Sequence, residues 1–127
     1  MNALSNTPEL DALYLTLDDL DPTGQIKDAI LDAPISSPKN CYAVGLNYRN
    51  HAEEAGMEIP KVPMIFTKHT TCLVGPHRDI EMRSDHVDYE AELVAVIGKS
   101  GKDISTENAW DHIAGLCVGK DISDRVV

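Results

Sequence analysis

The 127-residue chain contains no apolar run approaching the roughly 20 residues a membrane helix needs, and its first residues show no basic-then-apolar signal. Neither a membrane span nor a secretory signal is indicated. Surplus positive charge is also missing. Eleven Lys and Arg stand against 21 Asp and Glu, a formal net charge of -10, which argues against nucleic acid or an anionic membrane as partner. Cysteine is scarce: Cys41, Cys72 and Cys117 are odd in number, widely spaced and without a CxxC pairing. That pattern fits buried thiols in a reducing cytosol, so the expected location is cytoplasmic. No glycine-rich phosphate loop, nucleophile elbow, internal repeat or low-complexity tract is present. What remains is an ordinary globular composition, 43% hydrophobic and 25% charged, long enough for one domain with a core.

Residues 1–39 read as an acidic lead-in segment, with a short helix expected at 25–32 that turns Ile26, Ile30 and Leu31 inward, followed by the linker-like "APISSPKN". The body, residues 40–127, opens on "CYAVGL", a short apolar strand. "NYRNHAEEAG" predicts one to two helical turns, with Asn47 as cap and Gly56 as terminator. "MIFTK", "CLVG" and "DIEM" are strand candidates, "STENAWDHIAG" a helix capped by Ser105 and stopped by Gly115, and "LCVGKDIS" a returning strand. Trp110 and Met57 are expected to pack. The fold class implied is α+β and β-rich. The final strand carries polar residues and has no closing element after it, so the chain is expected to be a fragment of a longer protein.

The most informative stretch is "VDYEAELVAVIG", residues 87–98. In a strand, residues two apart share a face, so Glu90 and Glu92 point the same way, roughly 6.5 Å apart. Val94 and Val96 continue that face, while Ala91, Leu93, Ala95 and Ile97 line the other, which predicts cover on both sides. Taken alone, the two glutamates also suit an edge strand whose side chains reach water. Asp121, at the end of another apolar strand, supplies a third carboxylate. Three such groups suit Mg²⁺ or Mn²⁺, which prefer hard oxygen ligands; zinc fits less well, because no His or Cys stands at ligand spacing nearby.

His51 and Glu54 lie three residues apart and would share a helix face, where a carboxylate could orient an imidazole as a general base. From spacing alone, an ordinary surface pair is the commoner origin of such a pattern. Lys68, after an apolar stretch, could meet a substrate carboxylate or simply solvate a strand end. His69, His77, His86 and His112 form no pattern tied to chemistry.

Taken in order, "GLNYRNHAEE", Pro63-x-x-Phe66-x-Lys68, "VDYEAELVAVIGK" and Gly115 with "KDISDR" resemble the fumarylacetoacetate hydrolase family, in the branch of acylpyruvases and 2-oxo-acid hydratases and decarboxylases. The resemblance covers residues 41–127, the first part of the family's catalytic domain. It implies the family's mixed β-sandwich roll, incomplete here at its C-terminus, and a homodimer. It implies that Glu90, Glu92 and Asp121 bind Mg²⁺ or Mn²⁺. It makes His51 and Glu54 a water-activating dyad on a lid segment, and Lys68 and Arg125 candidates for binding a small 2-oxo acid. The expected reaction is hydrolysis of a C–C bond in an acylpyruvate-type 1,3-diketo acid by way of a metal-stabilised enolate. The alternatives are oxaloacetate decarboxylation, hydration or isomerisation of an unsaturated 2-oxo acid, or a non-catalytic piece that keeps the fold. This sequence departs from the family pattern at His69 and Arg83, where Pro is common. It departs again at Lys120, where Asn usually precedes the metal-binding Asp, and a lysine there could disturb the site.

Overall fold

A computed structural model describes residues 12, 16 and 20–126. The other residues of the lead-in lie outside that set. The described chain divides into two units, Ile30–Asp79 and the remaining described residues. Each holds one antiparallel strand pair.

In the first unit, β1 (Cys41–Gly45) pairs with β2 (Met64–Lys68), with Ala43 opposite Phe66. Between them lies α1 (Arg49–Glu54). Tyr48, not Asn47, occupies the N-cap position, and no side chain caps it. The C-terminus is closed as expected from glycine. Gly56 adopts φ +64°, the Met57 amide donates to the Ala52 carbonyl at 2.9 Å, and the Gly56 amide donates to Glu53 at 3.1 Å. This paired closure needs a left-handed residue, which glycine supplies without strain. Ala52, 1% exposed, is the only buried apolar residue among those described.

In the second unit, β3 (Val87–Ile97) runs antiparallel to β4 (Ile113–Asp124) over almost their full length. β-Branched and alternating residues favour such a ladder. Its register shifts between Val96 and Ile97, where Val96 faces Gly115 but Ile97 faces Ile113. Ala114 is thus the additional residue of a bulge. Gly98 is required beside it, because a Cβ there would stand 2.6 Å from the Ala114 Cβ.

Several expectations are corrected. The helix at 25–32 is a single 3₁₀ turn, Ile26–Asp28, and Ile26 and Ile30 are almost fully exposed, with Leu31 also exposed. Gly24 and Pro34 leave too few residues to sustain a helix without a packed face. "CLVG" is not a strand: Thr70–Cys72 form a 3₁₀ turn; nor does "DIEM" pair. Thr106–His112 is a 3₁₀ segment, and Gly115 lies inside β4 rather than ending a helix. Trp110, Met57 and Cys72 are exposed, while Cys41 and Cys117 are half-buried; all three thiols are free. The face of β3 and β4 that carries Leu93 and Val118 is open, with Val118 86% exposed, so cover on both sides is not found among the described residues. No described helix is long and apolar enough to cross a membrane.

One local interaction yields a direct test. The Glu107 carboxyl is held below its ordinary pKa by a hydrogen bond from its own amide and then by Ser105. Ser105→Ala should raise the Glu107 pKa towards the ordinary carboxylate value. A carboxyl carbon NMR titration reads this directly, and an unchanged midpoint refutes the role of the hydroxyl. The associated stability is present above the unfolded-state pKa and is lost as pH falls through the lowered folded one.

Candidate metal centre

The carboxylates owe their placement to the β3–β4 register. Glu90 pairs directly with Asp121, and Glu92 with Gly119. Directly paired residues and those two apart point to the same side of the sheet. Asp88, Glu90, Glu92 and Asp121 therefore share one face. Glu90, Glu92 and Asp121 are half-buried, so this is the more covered side of the two-stranded ladder. Like charges directly opposite destabilise a ladder, by up to about 1 kcal/mol. A cation on this face relieves that repulsion.

Arg125 brings a cation to this face. Its Nη2 donates to the Glu90 Oε1 at 2.5 Å and to the Asp88 Oδ2 at 3.1 Å. The bonds from Glu90 and then Asp88 raise the guanidinium pKa above its ordinary value. The Arg125 amide donates to the His86 carbonyl at 3.0 Å, tying the end of β4 to the start of β3. Next to this, the Ser84 hydroxyl bonds Asp124 at 2.9 Å.

Among the described residues, no three His, Cys, Asp or Glu side chains converge into a group that could hold a metal ion. The three expected ligands share a face without converging. Their chemistry nonetheless suits a hard divalent cation, which takes carboxylate oxygens. Gly119 keeps room beside them: a Cβ at that position would lie 2.8 Å from the Val94 Cγ2 and 3.8 Å from the Glu92 Cβ. Val94 is β-branched and cannot easily yield. Gly119→Ala should therefore cost about 1–3 kcal/mol through overpacking. Chemical denaturation of the full-length protein checks this, and an unchanged midpoint contradicts the close approach.

Lys120 lies off this face. It pairs with Ala91 on the opposite side of the ladder, and its Nζ lies 5.3 Å from the centre of the Tyr89 ring. Strand alternation separates it from Asp121 despite their adjacency in sequence. Asp88 and Arg125 together are what residue-level reading missed. The signal for Asp88 was its period-two position ahead of Glu90, whereas nothing local identified Arg125 as its partner.

In the other unit, His51 and Glu54 stand three apart on α1 and so share a helix face, next to buried Ala52. His51 is half-buried and Glu54 exposed. Lys68 ends β2, with its Nζ 5.7 Å from the Phe66 ring centre.

The comparisons give this arrangement a context. The fumarylacetoacetate hydrolase domain-containing protein 2 homolog of Dictyostelium discoideum is 45% identical over 102 residues, covering 79% of this chain and 33% of its own length. The oxaloacetate tautomerase YisK of Bacillus subtilis is 46% identical over 107 residues, covering 79% and 35%. The crystal structure of 5-carboxymethyl-2-hydroxymuconate delta-isomerase from Mycobacterium smegmatis superposes with a TM-score of 0.66 at 40% identity, over 81% of this chain and 43% of that one. The chain thus spans about a third of the length of the curated relatives it matches. The model for the fumarylacetoacetate hydrolase C-terminal domain matches residues 40–127. The chain belongs to the fumarylacetoacetate hydrolase family, and its strands are part of that family's β-rich fold.

Proposed function

We propose that the full-length protein is a divalent-metal-dependent enzyme that moves a proton on a small 2-oxo acid, with oxaloacetate keto–enol tautomerisation as the leading reaction. The observation that carries this reading is the half-buried face of Glu90, Glu92 and Asp121, which is set by the β3–β4 register. The relatives favour proton transfer over C–C hydrolysis: one is named as an oxaloacetate tautomerase and a solved neighbour as a delta-isomerase. Glu90, Glu92 and Asp121 would hold Mg²⁺ or Mn²⁺. When bound, the ion supplies positive charge that favours the negative charge developing at the substrate's oxo group.

The chain's own groups account for the remaining steps. His51 enters through its place in the family pattern, as the base that takes a proton from the carbon next to the oxo group. The C–H electron pair becomes a carbon–carbon double bond, the carbonyl pair moves to oxygen, and that oxygen gains the proton. Glu54, on the same helix face, would orient the imidazole and fix which nitrogen is free to act. Lys68 and Arg125 would bind carboxylate ends of the substrate, Arg125 through paired donors. A small-molecule substrate and a homodimer both follow from the family pattern.

Full-length protein with Mg²⁺ or Mn²⁺ should accelerate the approach of oxaloacetate to its keto–enol equilibrium, followed by enol absorbance. If it leaves that rate unchanged and instead splits acylpyruvates, hydrolysis replaces tautomerisation as the reaction.

A further inference from the structure

We propose that Arg125 is a positioning residue that holds Glu90 in the absence of metal and is displaced from it, onto Asp88, when the divalent cation binds. This rests on the metal reading above. Arg125 bridges two carboxylates of different standing: Glu90 faces Asp121 directly, whereas Asp88 lies one step further along the same face, opposite Ser123. Asp88 is outside the expected ligand set. A guanidinium and a divalent cation repel each other at a shared carboxylate. Binding the ion at Glu90 therefore favours Arg125 moving away, and Asp88, already 3.1 Å from the same Nη2, can receive it without any change in the backbone.

The arrangement serves both states. Without metal, Arg125 neutralises Glu90 and so lessens its repulsion with Asp121 across the ladder. With metal, donors that Glu90 had occupied become available for the carboxylate of a 2-oxo acid. Substrate recognition is thereby linked to metal loading through one side chain. Lys120 provides an internal comparison, because it carries the same charge one residue from Asp121 but sits on the other face over Tyr89.

The test uses the full-length protein and Mg²⁺ alone. The Arg125 guanidinium resonance, identified by its loss in Arg125→Gln, is followed during Mg²⁺ titration, and Mg²⁺ affinity is measured by calorimetry for wild type, Arg125→Gln and Lys120→Gln. The resonance should shift as Mg²⁺ binds, and Arg125→Gln should tighten binding about two- to fivefold, the range an exposed ion pair is worth, with a smaller gain for Lys120→Gln. Mg²⁺ binding with an unmoved guanidinium signal, or equal gains in both variants, overturns the displacement while leaving the metal reading intact. Absence of Mg²⁺ binding in every variant overturns the metal reading itself.

Discussion

Glu92→Gln and Asp121→Asn in the full-length protein should each weaken Mn²⁺ binding by more than the roughly 10–100-fold that loss of an outer hydrogen-bond partner of a metal ligand costs. Both substitutions keep the shape of the side chain and remove its charge, so the β3–β4 ladder should persist. Asp121→Asn, which removes one of the two directly opposed carboxylates, also relieves repulsion across the ladder. Stability and affinity should therefore separate: calorimetric Mn²⁺ affinity collapses while the thermal midpoint holds or rises. Full Mn²⁺ affinity in both variants would show that the shared face is not a metal site and that its acidic pattern only sets strand charge.

The second large effect falls on proton transfer. His51→Ala should lower kcat by about 10²–10⁴, the usual contribution of a positioned acid or base, while leaving Mn²⁺ affinity within twofold. Alanine is the best helix former, so α1 should be retained around buried Ala52. Steady-state kinetics on oxaloacetate beside metal calorimetry distinguishes the outcomes. An unchanged kcat would remove His51 from the chemistry, and a parallel fall in Mn²⁺ affinity would make its role structural.

β3 was the most legible element, because its period-two pattern continues for many residues and its β-branched side chains suit a ladder. The common face of Glu90 and Glu92 followed from that period. Their relation to Asp121 did not, since it depends on a register that no local pattern specifies; the pairing of Glu90 with Asp121 is what turned separate acids into one face. The segments "CLVG" and "DIEM" misled because a short apolar run becomes a strand only where a partner offers ladder bonds. Ala109 and Ile113 are four apart and suit a helix, yet Ile113 is taken by Ile97 across the ladder. Lys120 teaches the opposite lesson: alternation alone would have put it on the other side from Asp121. Arg125 was legible as a family residue, but its hold on Glu90 and Asp88 arises from the return of β4 alongside β3. The openness of the Leu93 and Val118 face is likewise a property of tertiary cover, which the strand's own sequence does not encode.

In the proposed function, the β3–β4 carboxylate face binds a divalent cation. Its most direct test is anomalous diffraction from crystals of the full-length protein grown with Mn²⁺. The expected result is a manganese peak coordinated by Glu90, Glu92 and Asp121, with Arg125 drawn away to Asp88. Manganese bound elsewhere, with Arg125 still on Glu90, would contradict it.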